Sequence, residues 1–384
     1  MKTKQAKRKT ANAYWTLPET SKIVEAGFYY GFNPIDVPKP EKQDQVLAQV
    51  LSKESENADI PEWIAMIRAH CGGSAPFLPC MFMRRGRRKT TKSVEYAFDI
   101  LGTSRAIADA LLVKMAYEVA KDEHLENISV EINSLGDRDS VNRWSRELTA
   151  YFRKHINDLH PDCRQLFKKD CQAIVSCQHE KCRTIKEEAP HPINYLSEPS
   201  RKHFMEVLEF LEAIGIPYTV SNFLVGNQAF AAHTVFKITG TDRSGTYTLA
   251  EGGRWGGLAK KMGMKRDVPS VSVKVCLRHE NQKVKRRIPL PKCYFLQMGQ
   301  EAKLKSLDVI EILRRANIPV YHSLTRDKLT AQLMSAEYLK VPYILIMGQK
   351  ESLENTVLVR NMANRCQETV KICDLPRYLK KVLK

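Results

Sequence analysis

The sequence predicts a mixed α/β protein built from more than one domain. Three observations lead there. The 384 residues exceed what one ordinary core requires. Residues 218–275 read as a nearly continuous β-rich stretch. Beyond Pro289, strand-like and helix-like runs alternate, the pattern of a sheet covered by helices.

Residues 13–32 read as a helix running into an aromatic turn, "AGFYYGFNPIDVP". Residues 40–75 are polar and mixed, with one helix at "PEWIAMIRAHC", and "YAFDILG" (96–102) has strand character. "RAIADALLVKMAYEVAKDE" repeats apolar residues at helical spacing, with Asp109 early and Lys121 late as the helix dipole favours. "ISVEINSLG" alternates as a strand and ends in a Ser-Leu-Gly turn. Helices are expected over about 138–155 and 200–214, within a helical insertion at about 138–214. A basic run and two prolines, "RRIPLPKCYF", mark a boundary between a core at 1–289 and a second domain at 290–384. That domain reads as strand "CYFLQMG", helix "AKLKSLDVIEILRRANI", strand "VYHSL", helix "KLTAQLMSAEYLKV" and strand "YILIMG". Strands "TVLVRNM" and "ETVKICD" and a short basic helix follow, which implies a mixed, largely parallel sheet.

Hydrophobic residues make up 43% and aromatics 8%, an ordinary globular composition. No apolar run approaches the roughly 20 residues of a membrane span, so no membrane partner is expected. The basic stretch "MKTKQAKRKTANAYW" lacks the apolar centre of a secretory signal, and a cytoplasmic location is expected. The net charge of +18 favours a polyanionic partner, because each phosphate neutralised by Lys or Arg releases counterions. That charge is clustered: "KTKQAKRK" near the start, "MRRGRRKTTK" at 83–92, and ten Lys/Arg against two acids over 260–287. The ten cysteines do not suggest a disulfide framework in this context. Cys163, Cys171, Cys177 and Cys182, with His179 and His191 near, are separated by seven, five and four residues. Those spacings miss the C-x₂-C hairpin of structural zinc, so reduced thiols are the plainer reading and no metal ligand is assigned.

Several stretches belong together. "EGGRWGGLAKKMG" (251–263) resembles the Gly-Gly-Arg-aromatic-x-Gly-Leu strand and turn of histidyl-tRNA synthetases, and "EINSLGD" (131–137) resembles their Asn-Ser-Leu-Gly turn. "LEAIGIPYTV", "LV" and "TVFK" are similar to the elements that bracket their histidine-specific loop. "EKCRTIKEEAPHPINYLSEPSRKHF" is similar to their helical insertion. "DKLTAQLMSAEYLKVPYILIMGQKE" and "NTVLVRNMANRCQETV" resemble their anticodon-binding domain. The resemblance covers nearly the whole chain in the family's order. It implies a class II synthetase core, an antiparallel sheet with helices, followed by an α/β anticodon-binding domain. It also implies a homodimer, with the segment around "YYGFNPIDVP" at the two-fold interface.

Working members bind ATP and histidine, form the adenylate and pass histidine to tRNA. The resemblance therefore makes position-by-position demands, and the sequence departs from them. Where the family carries Arg-Gly-Leu-Asp-Tyr-Tyr, this chain reads Gly226, Asn227, Gln228, Ala229, Phe230 and Ala231, without the arginine or the acid. In the ATP-binding Phe-Arg-x-Glu motif the arginine position reads Met83, with Arg84 able to substitute only if the strand slips. Arg278 and His279 stand where Gly-Leu-Glu-Arg has its glutamate and arginine. Pro61-Glu62-Trp63-Ile64 keeps half of Pro-Glu-Gly-Thr, and Gly252-Gly253-Arg254-Trp255-Gly256 lacks the family's aspartate. Glu62, Gly252, Gly253 and Arg254 are read as remnants of the substrate pocket, and no catalytic residue is assigned.

The leading expectation is a non-catalytic, synthetase-like homodimer that binds tRNA or a tRNA-like RNA, needs no cofactor and holds no metal. Its candidate RNA contacts are Arg84, Arg85, Arg87, Arg88 and Lys89 in the core, and Arg326, Lys328, Gln332, Arg360 and Asn361 in the second domain. One alternative is a divergent but active histidine–tRNA ligase using ATP and Mg²⁺. Another is a regulatory subunit like the synthetase-derived partner of ATP phosphoribosyltransferase; the charge of +18 counts against it.

Overall fold

The described residues form an eight-stranded sheet, a five-stranded sheet and a two-stranded ribbon. The computed structural model describes residues 14–16, 22–34, 39–52, 60–72, 81–85, 93–226, 230–278, 287–324 and 326–383. In order come β1 (Tyr14–Thr16), α1 (Lys22–Tyr29), β2 (Asn33–Pro34), α2 (Lys42–Ser52), α3 (Ile60–Gly72), β3 (Met81–Arg85), β4 (Val94–Leu101), α4 (Ala106–Asp122) and β5 (Glu126–Ser134). A helical segment follows: α5 (Arg138–Lys154), α6 (Pro161–Lys169), 3₁₀ turns at Cys171–Ser176 and Glu180–Cys182, α7 (Arg183–Glu187), a turn at Pro192–Tyr195, and α8 (Glu198–Ala213). Next are β6 (Thr219–Val220), β7 (Ala231–Asp242), β8 (Gly245–Trp255), α9 (Leu258–Lys261), β9 (Ser270–Leu277) and β10 (Arg287–Pro289). The last part holds β11 (Cys293–Gln297), α10 (Gln300–Arg315), β12 (Val320–His322), α11 (Leu329–Leu339), β13 (Tyr343–Met347), α12 (Gln349–Glu354), β14 (Thr356–Asn361), β15 (Gln367–Lys371) and α13 (Leu375–Val382).

The large sheet runs β2-β3-β4-β9-β8-β7-β5-β6 and is antiparallel apart from the edge pairs β2–β3 and β5–β6. One face packs on α4. That helix is buried almost all round, its charged Asp109, Lys114 and Glu118 included, and is covered by the sheet, α1, α8 and α10. In the insertion, α5 presents Ser140, Trp144, Leu148 and Phe152 one turn apart as its buried stripe. Its N-cap Asp137 accepts from Ser140 N at 2.9 Å. Burial alone would raise the Asp137 carboxyl, but hydrogen bonds from Ser197, Ser140 and Ser200 bring it down to about 2. Gly136 just before it sits at φ +74°, where a side chain would also strike Ser140 Cβ at 2.6 Å.

Residues 13–32 do not form one helix: β1 pairs with β10, and α1 starts only at Lys22. Helix α2 was hidden because its apolar residues do not sort onto one face: Ala48 and Leu51 are buried against α3, while Val46 and Val50 are exposed. The second sheet, β12-β11-β13-β14-β15, is parallel only across its first three strands. The eight residues between Met347 and Thr356 are too few for a crossover, so β14 returns antiparallel and β15 follows it.

The two sheets share one core that runs across residue 290. Tyr29, Tyr30 and Phe32 of the aromatic turn are buried there within the same chain. Tyr30 donates its hydroxyl to Glu311 Oε2 at 2.8 Å, and its carbonyl meets His322 Nε2 at 2.9 Å. Arg314 pairs with Asp122 at 2.7 Å and Arg315 with Glu118 at 3.1 Å. Among the described residues no helix is long and apolar enough to cross a membrane.

Candidate functional site

A cleft of about 850 Å³ lies on the sheet face opposite α4. Strands alternate, so Ile132, Ile238, Ala250, Val275 and Phe98 enter the α4 core while their neighbours face the cleft. Those neighbours form a row across six strands. Glu131 of β5 pairs in register with Lys237 of β7, Lys237 with Glu251 of β8, and Glu251 with Lys274 of β9. Ala97 of β4 and Arg84 of β3 complete it. Lys237 Nζ lies 3.0 Å from Glu131 Oε1. The floor is thus Glu, Lys, Glu, Lys, neutral in sum, and suited to a ligand with both charges more than to a triphosphate. The elements are far apart in sequence, so only the register reveals the row.

Arg84 corrects two sequence expectations. It is 3% exposed, so it is not a surface phosphate contact. Its guanidinium pairs with Glu62 of α3 and, through Nε at 3.0 Å, with Asp99 of β4. It also faces the cleft, whereas Met83 points the other way into the core beside Phe98 and Gly27. The cleft therefore has an arginine on this strand after all, and that arginine is neutralised by two carboxylates. Glu62 belongs to the same group.

Trp63, which stands where the family pattern has glycine, meets the aromatic residue of the Gly-Gly-Arg-aromatic motif. Trp63 stacks on Trp255 with ring centroids 4.6 Å apart and planes at 10°, and both line the cleft. Trp255 Nε1 donates to Ser272 Oγ at 2.6 Å. Gly252 and Gly253 are required by close strand approach: a Cβ on Gly252 would lie 2.5 Å from Phe236 and 2.6 Å from Ser272 O, and one on Gly253 2.8 Å from Thr234 O. Arg254 is committed to the scaffold. It donates to Asp109 Oδ2 through Nε at 2.9 Å and Nη2 at 2.6 Å, and to Thr103 O at 2.7 Å. Burial alone would raise the Asp109 carboxyl, but Arg254 and then His203 hold it at about 2. Gly226 lines the cleft at φ +61°, a backbone state that disfavours any other residue. Residues 227–229, including Ala229, and His279 lie outside the described residues. Arg278 is remote from the cleft, over the Tyr247 ring and 3.4 Å from Asp242. Val175, Ser176, Gln178 and Lys186 of the helical segment close one wall.

The candidate RNA contacts divide. Arg85 is exposed at the end of β3, and Arg87, Arg88 and Lys89 lie outside the described residues. Gln332 is not a surface residue: it is fully buried, accepts from Gln297 N at 3.1 Å and donates to Gln297 O at 2.8 Å, tying α11 to β11. Asn361 accepts from Ala363 N at 2.8 Å and shapes the β14–β15 turn. Arg326 is half-buried, with Nη1 3.1 Å from Ser335 Oγ. Arg360 is half-buried too, and its Nε has no hydrogen-bond partner. Lys328 is exposed, and beside it α11 leaves Leu329, Met334 and Tyr338 uncovered. Apolar residues facing solvent at 334 and 338 break the helix's amphipathic pattern, a signal the sequence contained.

A crystal structure of apo histidyl-tRNA synthetase from S. aureus superposes with a TM-score of 0.53 at 20% identity, covering 94% of each chain. Residues 292–382 match the anticodon binding domain family. The fold is that of a class II aminoacyl-tRNA synthetase core followed by an anticodon-binding domain. Histidine–tRNA ligase of Fervidobacterium nodosum is 32% identical over 276 residues, 70% of this chain and 65% of that one. The Dehalococcoides mccartyi enzyme is 26% identical over 293 residues, 75% and 70% of the two chains. The chain belongs to the histidyl-tRNA synthetase family.

Proposed function

We propose that this chain is a synthetase-like protein that binds tRNA or a tRNA-like RNA without forming the aminoacyl adenylate. The observation that carries this reading is the cleft's charge state. Stabilising a triphosphate and its developing charge needs unpaired cations aimed at the reacting atoms. Here Arg84 is held by Glu62 and Asp99, and the two floor lysines alternate with glutamates. The Trp63–Trp255 stack takes up space beside them. RNA binding is supported by the anticodon-binding domain match, the charge of +18, and the exposed Lys328 and Tyr338 on α11. A base stacked on Tyr338 and phosphates near Lys328 fit how proteins read unstacked RNA loops. A cytoplasmic homodimer assembled through the core is part of the same proposal, checked by sedimentation of the full chain.

Histidine-dependent ATP–pyrophosphate exchange is expected at background, and a robust histidine-specific signal refutes the non-catalytic reading. The active-ligase alternative has one observation in its favour, the cleft-facing Arg84. RNA binding is read from titration of labelled tRNA and a length-matched duplex. If six to ten phosphates are contacted, affinity falls roughly 10³–10⁵-fold between 50 and 200 mM salt. Tyr338→Ala with Lys328→Glu should remove the preference for tRNA over duplex. A flat salt response, or no preference in the parent protein, removes RNA from the proposal.

A further inference from the structure

We propose that Cys163, Cys177 and Cys182 bind one Zn²⁺ ion, which fastens the helical segment that walls the cleft. This does not rest on the proposed function. The three Sγ atoms lie within 4.8 Å of one another. Sulfurs around tetrahedral zinc sit about 3.8 Å apart, given Zn–S bonds of about 2.3 Å, so a small side-chain closure completes the geometry. The thiols come from α6, from the residue after the first 3₁₀ turn, and from the end of the second. Thirteen and four residues separate them, so the spacing rule applied to the sequence did not find the group.

The surroundings suit a metal better than three free thiols. Between residues 161 and 187 only Cys163, Ile174, Val175 and Cys182 are buried among the described side chains, so two of the four core positions are cysteines of this cluster. These four pack into the apolar cluster around Trp144, Leu148 and Phe152 of α5, so a zinc ion there would fasten the short helices to α5. His160 N donates to Cys182 Sγ at 3.3 Å. On binding, three S–H protons leave and three Zn–S bonds form, with no change of oxidation state.

Two histidines form a second group next to the cysteines in sequence. His160 precedes Cys163 by one helical turn, and His179 lies between Cys177 and Cys182. Their rings stack at 3.8 Å between centroids, with Asp162 Oδ2 at 3.5 Å from His160 Nδ1 and 3.8 Å from His179 Nε2. Their ring nitrogens group with Asp162 and not with the three sulfurs, so one imidazole would have to turn toward the thiols to complete the Cys₃His set of structural zinc. Cys171 is not part of the group: its Sγ sits 3.2 Å from Thr149 Oγ1.

The test uses the full chain purified under reducing conditions. Plasma mass spectrometry should find about one zinc per chain, the stoichiometry of a single closed site. Exchange with Co²⁺ should give the absorption bands of tetrahedral thiolate coordination. Cys163→Ser and Cys182→Ser should lose most of the metal, while Cys171→Ser keeps it. The proposal is overturned by wild-type protein that is metal-free and takes up neither Zn²⁺ nor Co²⁺, by a disulfide between two of the three cysteines in the folded protein, or by equal metal loss in C171S and C163S. The wild-type measurements decide even if the serine variants fail to fold.

Discussion

Replacing Arg254 with methionine keeps the apolar stem and removes the guanidinium that neutralises Asp109. Both side chains are at most 3% exposed, so the carboxylate cannot turn to water. What remains is His203 Nε2 at 3.6 Å, together with the carbonyl of Thr103, which loses its donor. Breaking a buried pair by removing one member costs about 3–5 kcal/mol, because the other charge is left uncompensated. The pH dependence gives a sharper signature. In the parent protein Asp109 is depressed from 3.8 to about 2. The native state therefore gains about 2 kcal/mol above the unfolded-state value, lost as pH falls through the folded value. Without Arg254, burial dominates and the carboxyl rises, so the variant is hurt most near neutrality and its penalty shrinks on acidification. Urea unfolding of R254M and parent between about pH 7 and pH 4 reads this directly. A double-mutant cycle with Asp109→Asn should show a favourable coupling between the two residues. A penalty below about 1 kcal/mol, or one that does not change with pH, would refute the assignment of Arg254 to the scaffold.

Two further outcomes follow from the same geometry. His322 is fully buried, and that burial lowers it from 6.5 to about 4 despite its hydrogen bond to Tyr30 O. The unfolded chain then binds the proton more readily, so stability present above the unfolded value falls by about 3 kcal/mol as pH drops from there to the folded one. His322→Gln should flatten that part of the urea-midpoint profile, and an unchanged slope would contradict it. Gly252→Ala places a methyl against Phe236 and the Ser272 carbonyl, which cannot both yield, and should cost about 2 kcal/mol; a loss below about 0.5 kcal/mol in denaturant melts would show that the strands relax.

Local patterns in the sequence carried the elements whose burial follows a simple period. Helix α4 was readable because apolar residues recur at helical spacing around Asp109, Lys114 and Glu118, and α5 because Trp144, Leu148 and Phe152 fall one turn apart. The family's motifs also marked Gly252 and Gly253, whose need for no side chain the strand packing explains. The cleft was much less legible. Whether residue 83 or 84 of β3 faces it depends on pairing with β4, and a one-residue difference exchanges the faces. The Glu-Lys-Glu-Lys row and the Trp63–Trp255 stack join residues with no local signature, and Gln332 looks like a surface amide until its bonds to Gln297 are seen.

The placement of Tyr30 has a mechanical consequence. Its hydroxyl and its carbonyl are both engaged by the last part of the chain, through Glu311 and His322. Gly31 next to it is at φ +84°, pressed against the His322 ring. Residues 290–292 are thus a covalent tether without being a pivot. To swing one sheet against the other, the protein would have to expose Tyr29, Tyr30 and Phe32 and separate Arg314 and Arg315 from α4. A load applied at α11 would reach α4 and the back of the cleft floor by way of β11 and α10, each packed on the next.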